Sequence, residues 1–337
     1  MRVSSLAKAL LLASLFVACG DSPSAPSPEA GAGSPSAGSF KIAVIPKGTA
    51  HEFWKAVEQG ARRADEELAD LTIVWKGPSG EGDAAAQIAL VESFLADGIH
   101  GVCLAPLDAR ALEKPVRAAA AAKIPVVIFD SGLAAADAPI ESFVATDNYM
   151  GGRMAGDELG SALGSKGRVL LLRYVLGSES TEQREKGFLD AIAAHTGIEV
   201  ISSDKHGGPT EAEAVAAAET LLSNFGEQLD GVFCSNESAT SGFLTALARD
   251  SRGLAGKVIV VGFDSSTKIE EALVSGALRS TIVQNPERMG YLAVKAMHTR
   301  LTGGTPERRI DTGERVLRLG DLPAERVAEI RARLQGK

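Results

Sequence analysis

From Phe40 onward, short runs of β-branched and apolar residues alternate with longer Ala-rich stretches in which apolar positions recur every three or four residues. The short runs predict strands near Lys41–Ile45, Thr72–Trp75, Gly101–Leu104, Val126–Phe129, Phe143–Ala145, Val169–Arg173, Glu199–Ser202, Val232–Cys234, Val258–Gly262 and Ser280–Val283. The stretches between them, Glu52–Leu68 and Met150–Leu163 for example, predict amphipathic helices. Alternation of this kind marks βα units and parallel sheets. Several runs are apolar on both faces, as a sheet covered by helices on each side requires. About ten strands exceed a typical sheet of roughly five or six, so two sheets are expected. A chain of 337 residues is long enough to bury a core around each.

The N-terminus follows a different pattern. Arg2 and Lys8 precede an apolar run from Ala9 to Ala18 that is too short to span a membrane, and Cys19 follows it. This predicts a signal peptide over residues 1–18. Leu15-Phe16-Val17-Ala18-Cys19 resembles a bacterial lipoprotein lipobox, which implies cleavage before Cys19 and acylation of its thiol; an ordinary secretory signal with an incidental Cys is the alternative. Gly20 to Ser39 is almost entirely Ser, Pro, Ala and Gly, so residues 19–39 are expected to form a disordered tether. A lipid anchor would hold the protein in the periplasm or on the outer face of the cell membrane.

Composition removes several classes of function. A net charge of −8 without a Lys/Arg cluster argues against nucleic acid as a partner. No phosphate-cradling glycine loop, GxSxG elbow, HExxH motif or ligand-spaced Cys/His cluster is present, so no catalysis, metal or cofactor is expected. Cys103 and Cys234 lie in apolar runs and read as small buried residues, with a disulfide between them left open.

In open α/β sheets, ligands bind beyond the carboxyl ends of the strands. Polar residues recur at those ends: Lys47, Asp108, Asp130, Asp147, Asn236, Asp264 and Gln284. Together with Ile42-Ala43-Val44-Ile45-Pro46, His51-Glu52-Phe53-Trp54, Thr146-Asp147-Asn148, Gln183-Arg184 before Gly187-Phe188, and Thr281-Ile282-Val283-Gln284-Asn285-Pro286, they form an ordered set of motifs. In this order and spacing the chain resembles the periplasmic sugar-binding proteins of the ribose/galactose type, from Phe40 to about Val316.

The resemblance implies an α/β fold of two doubly wound parallel-sheet lobes joined by a three-segment hinge. One lobe would be residues 40–145 plus 285–312 and the other 146–284 plus 313–337, with crossings near Thr146, Gln284 and Asp311-Thr312-Gly313. It implies a monomer that captures a monosaccharide or similar polyol by hinge closure and delivers it to an ABC permease in the membrane, or signals to a sensor receptor. A transcription repressor on the same fold would need a helix-turn-helix where the leader and tether lie.

Asp130, Arg184, Asn236, Asp264 and Gln284 match positions that hydrogen-bond sugar hydroxyls, and Phe53 and Trp54 match aromatic positions that flank the ring. Each hydroxyl both donates and accepts, so carboxylates, amides and a guanidinium must converge on it once water is excluded. Other duties are open to the same residues. Asp264 could cap a helix, Asp147 and Asn148 read as cap and hinge, and Arg184 could pair with Glu182 or Glu185. Phe53 and Trp54 are adjacent, so one facing the cleft is expected, and Trp54 is the choice.

Three departures argue against ribose itself. Ser131 follows Asp130 where an arginine is usual, His51 replaces an asparagine, and no aromatic stands among His206, Gly207, Gly208 and Pro209. Lys47, Ser131 and Gln183 instead resemble features of relatives that bind a furanosyl quorum signal or rhamnose, and with His51 they complete the expected ligand-binding set.

Overall fold

The computed structural model describes residues Ser39–Gln335. The expected signal peptide, the acylated Cys19 and most of the tether lie outside the described residues. Five strands come first: β1 (Phe40–Ile45), β2 (Leu71–Trp75), β3 (Gly101–Leu104), β4 (Val126–Phe129) and β5 (Ser142–Ala145). Helices α1 (Glu52–Glu67), α2 (Ala84–Ala96) and α3 (Glu113–Ala121) connect them. The pattern then repeats with α4 (Asn148–Ala162), β6 (Lys166–Leu172), α5 (Glu179–Ile192), β7 (Gly197–Ser202), α6 (Glu211–Phe225), β8 (Gly231–Cys234), α7 (Glu237–Arg249), β9 (Ile259–Phe263), α8 (Thr267–Ser275) and β10 (Ser280–Gln284). The chain closes with α9 (Pro286–Leu301), β11 (Arg309–Asp311), β12 (Glu314–Leu317) and α10 (Ala324–Gln335).

Two six-stranded sheets result, ordered β11-β5-β4-β3-β1-β2 and β12-β10-β9-β8-β6-β7, and each is the centre of one lobe. The chain passes between them after β5, β10 and β11. Alternation along the strands explains the layering. Ile42 and Val44 of β1 pack with Val57, Ala61, Ala293 and Met297 of α1 and α9. Ala43 and Ile45 point the other way, to Val91, Phe94 and Val116 of α2 and α3. In the second lobe Val169 and Leu171 face Leu159 and Phe188 of α4 and α5, while Leu170 and Leu172 face Leu221 and Phe243 of α6 and α7. Each sheet is therefore buried on both sides.

The strands β11 and β12 depart from the sequence expectation. Both are short, and β11 is largely exposed with one apolar residue, so neither period nor composition marks it. The second sheet is also not wholly parallel, because β12 pairs antiparallel with β10. The crossing explains this. β11 runs parallel to β5, toward the cleft, and passes through Thr312 and Gly313 straight into β12. A strand that enters the second lobe from the cleft must run against its neighbours. Cys103 on β3 and Cys234 on β8 are buried free thiols in different sheets.

Candidate functional site

The carboxyl ends of both sheets converge on one interlobe cavity, lined by charged, amide and aromatic side chains. Two aspartates begin it in the same way. Asp130 after β4 and Asp264 after β9 both adopt left-handed backbone, with φ of 63° and 69°. Such strain in a non-glycine residue persists only where its surroundings fix it. Here Asp130 N–H donates to Val144 O at 3.0 Å, and Asp264 N–H donates to Ile282 O at 2.7 Å.

In the first lobe, Lys47 follows β1 and its Nζ lies 3.1 Å from Asp130 Oδ2. The same Nζ crosses the cleft to donate to Ser178 Oγ at 3.2 Å and Ser180 Oγ at 3.0 Å. The turn carrying Lys47 is fixed by buried Gln87, whose amide donates to Pro46 O at 2.9 Å and Ala105 O at 2.8 Å. Phe53 and Trp54 both line the cavity, with ring centroids 4.9 Å apart at 83°. The expectation of one ring facing the cleft fails because α1 meets the cavity end-on. Consecutive residues of a first turn can then both reach it.

In the second lobe, buried Arg184 on α5 donates from Nε to Asn148 Oδ1 at 2.8 Å and from Nη1 to Ser235 O at 3.2 Å. Its guanidinium stacks 3.8 Å from the centroid of Phe263 and lies 3.8 Å from Asp264. It pairs with neither Glu182 nor Glu185; Glu185 is taken by Arg173 at 2.6 Å and by the backbone N–H of Tyr174 at 3.1 Å. Asp264 accepts from Gln284 Nε2 at 2.7 Å and from the Glu237 N–H at 3.1 Å, while Ser266 caps the helix that follows. Burial pushes the Asp264 carboxyl up, against the charge of Arg184. Gln284 Oε1 is buried without a partner, an acceptor available to a ligand hydroxyl. Asn236 caps α7 and also lines the cavity. Asp147 caps α4 through Met150 N–H at 3.0 Å, as expected.

Two expected residues lie elsewhere. Ser131 is buried in the seam between the lobes, where its Oγ accepts from Ser180 N–H at 3.1 Å. Gln183 lines a separate groove with Asp108 and Glu179, because one helical residue from Arg184 is a rotation of about 100°. Glu182 accepts from Gly177 N–H at 2.8 Å and, like Gln183, has no place in the cavity lining.

Several residues of the site were missed. Glu81, on the loop after β2, is buried; its Oε1 accepts from Trp54 Nε1 at 2.7 Å and from His51 Nδ1, and its Oε2 accepts from Tyr174 OH at 2.8 Å. Burial opposes the Glu81 charge, but the hydrogen bond and charge of His51 hold the carboxyl below its usual range. Burial would lower the His51 pKa, yet Glu81, Glu237 and Asp264 raise it to about 9, so the imidazole is charged at neutral pH. At the cleft mouth, Glu237 of the second lobe accepts from the N–H groups of Glu52 at 3.4 Å and Phe53 at 3.2 Å. Glu52 of the first lobe in turn accepts from Thr267 N–H at 3.1 Å. Each lobe thus caps a helix of the other. Burial and Asp264 push Glu237 up to about 7 despite the His51 charge. Glu237 and Tyr174 stand beside strand ends where the sequence could have shown them; Glu81, well beyond β2, gave no such signal.

The hinge side is closed by Thr312 N–H donating to Ala145 O at 3.1 Å and by the Thr146 and Thr312 hydroxyls 3.3 Å apart.

Comparison with known proteins agrees with this architecture. Residues 42–305 match the periplasmic binding protein domain family. The D-ribose/D-allose-binding protein of Pseudomonas aeruginosa is 30% identical over 276 residues, which are 80% of this chain and 85% of that protein. The crystal structure of an ABC-type sugar transport system periplasmic component from Hahella chejuensis is 34% identical, with a TM-score of 0.78 over 82% of this chain and 99% of that one. A carbohydrate transporter solute-binding protein from Agrobacterium radiobacter, solved with D-arabinose, is 30% identical with a TM-score of 0.80 over 88% of this chain and 99% of that one. These relatives are binding and transport proteins, not enzymes.

Proposed function

The chain belongs to the periplasmic binding protein family, and from that premise we propose that it is the ligand-capturing component of an ABC-type importer, closing its two lobes on one uncharged pentose or hexose. The observation that carries this reading is the interlobe cavity, in which hydroxyl-binding groups converge from both lobes beside Phe53 and Trp54. Lys47, His51 and Arg184 each face a carboxylate, so the cations are already balanced and an anionic sugar gains nothing. The aromatic faces suit the C–H face of a sugar ring. A site built this way rejects analogues that lack a hydroxyl, because its own buried polar groups would be left unpaired.

The lobes, residues 40–145 with 285–312 and residues 146–284 with 313–337, move as rigid bodies about the three crossings, and ligand favours the closed arrangement by touching both. Lys47, Asp130, Arg184, Asn236, Asp264 and Gln284 bind the hydroxyls. The protein acts as a monomer, anchored through acylated Cys19 and the tether, and hands its ligand to a permease in the membrane.

A thermal-shift screen of residues 40–337 against D-ribose, D-allose, D-arabinose, D-fucose, D-tagatose and myo-inositol tests the reading. A ligand that binds the folded state alone raises the melting temperature. If no sugar raises it or gives a calorimetric signal, the reading fails. Retention of a Cys19→Ala variant in the membrane fraction would overturn the anchor.

A further inference from the structure

Glu81 divides its two carboxylate oxygens between the lobes. Oε1 accepts from residues of its own lobe, Trp54 Nε1 at 2.7 Å and His51 Nδ1, while Oε2 accepts from Tyr174 OH of the opposite lobe at 2.8 Å. The Tyr174 backbone is fixed independently, because its N–H donates to buried Glu185 at 3.1 Å. A buried carboxylate with this many donors is fully satisfied by protein groups, so it has little left to offer a ligand directly. What it can do is orient: the indole N–H sets the rotation of a ring that lines the cavity, and the phenol bond exists only when the lobes meet.

We propose that Glu81 is a positioning residue of the binding site, holding the Trp54 ring in its ligand-facing orientation and tying that orientation to lobe closure through Tyr174. The proposal rests on the cavity being the sugar site. Glu81 acts through Trp54 and Tyr174, so its loss changes the ring and the closure together, whereas loss of the Tyr174 hydroxyl changes closure alone.

Trp54 and Trp75 are the two tryptophans of the chain, so a Trp75→Phe background makes Trp54 the sole reporter. The charges facing His51 are Glu81 from the loop after β2, Glu237 from α7 and Asp264 from the end of β9, with Lys47 and Arg184 lining the same cavity. In that background Glu81→Gln and Tyr174→Phe are compared without ligand by Trp54 fluorescence and acrylamide quenching from pH 6 to 9. Affinity and dissociation rate are then measured with whichever sugar of the screen stabilises the unmutated protein.

Glu81→Gln is expected to red-shift Trp54, increase its quenching and lower the pH at which His51 titrates, as His51 loses the carboxylate that helped raise its pKa to about 9. It should weaken sugar binding by about tenfold or more. Tyr174→Phe is expected to leave the unliganded Trp54 spectrum unchanged while raising the dissociation rate about fivefold. A Glu81→Gln spectrum equal to that of the unmutated background, or a Tyr174→Phe spectrum displaced as far as that of Glu81→Gln, would overturn the proposal. If no sugar binds the unmutated protein, the sugar reading fails, and the ligand-free fluorescence still decides the role of Glu81.

Discussion

The two lobes use one packing device for different ends. In the first lobe, α1 and α9 cross so closely that a Cβ on Gly60 would stand 1.8 Å from Glu287 O. In the second lobe, α4 and α5 cross in the same way, and a Cβ on Gly152 would stand 1.9 Å from Arg184 O. Glu287 is exposed and outside the cavity lining, whereas Arg184 lines it. The backbone of the second lobe's main cation is therefore fixed by helix packing. The first lobe fixes its cavity-lining groups differently, with side-chain hydrogen bonds around Gln87 and Glu81 on loops and at a helix N-terminus. Groups held by packing should fail together with the fold. Groups held by hydrogen bonds should fail when a partner gains or loses a proton.

The largest effect is expected at the charged centre of the packed lobe. Arg184→Ala and Asp264→Ala each leave a buried partner uncompensated and remove a proposed ligand contact, so affinity should fall at least about a hundredfold. Calorimetry should register this while the thermal transition remains cooperative. Unchanged affinity would remove both residues from the site.

Next come the two glycines. Gly152→Ala and Gly60→Ala should each destabilise by about 3 kcal/mol, because backbone rather than a flexible side chain meets the new methyl. Their effects on binding should differ: Gly152→Ala moves Arg184 and costs about tenfold in affinity, while Gly60→Ala stays within about threefold. Urea unfolding paired with calorimetry on both variants tests this, and equal losses of affinity would break the contrast between the lobes.

Protonation should act on the other lobe. His51 has its pKa raised to about 9, so its stabilising contribution is complete below its unfolded value of 6.5 and is lost as pH rises through about 9. The interval corresponds to about 3 kcal/mol, or a fall of about 5 °C in melting temperature between pH 6.5 and 9. His51→Gln should flatten this slope, and a variant that keeps the full slope would remove His51 as its source.

Much of this was legible in the sequence. The unbroken apolar run Ile42-Ala43-Val44-Ile45 and its counterparts foretold sheets buried on both faces, since each successive residue must find a separate apolar layer. Asp130, Asp264 and Asn236 were legible because a strand end is a fixed place where the chain must turn. What stayed hidden depends on neighbours distant in sequence. β11 exists because β5 offers it an edge, and Glu81 belongs to the site because Tyr174 reaches it from the other lobe. Ser131 and Gln183 show the reverse error. Adjacency to a site residue is no guide when a turn or a helical step points the neighbour elsewhere.

The effect at the cleft mouth, where hydrogen bonds join the lobes, is one of slope. Capping the first turn of α1 stabilises the Glu237 carboxylate, while burial and Asp264 oppose its charge, and the balance raises its pKa from the ordinary 4.5 to about 7. With the lobes closing on ligand as proposed, opening separates Glu237 from α1 and returns it to water, so closure takes up a proton between these values. With the closed-state pKa the higher, binding tightens as pH falls from 7 toward 4.5 and is level above 7. At pH 7 the buried charge opposes closure, so Glu237→Gln, which keeps the acceptor oxygen without the charge, should bind more tightly than the unmutated protein at pH 7 and about equally near pH 4.5. The discriminating measurement is therefore the slope: affinity of the unmutated protein should rise between pH 7 and pH 5, and Glu237→Gln should remove that rise. A slope that survives the substitution would assign the proton to another group and leave the mouth contacts as packing alone.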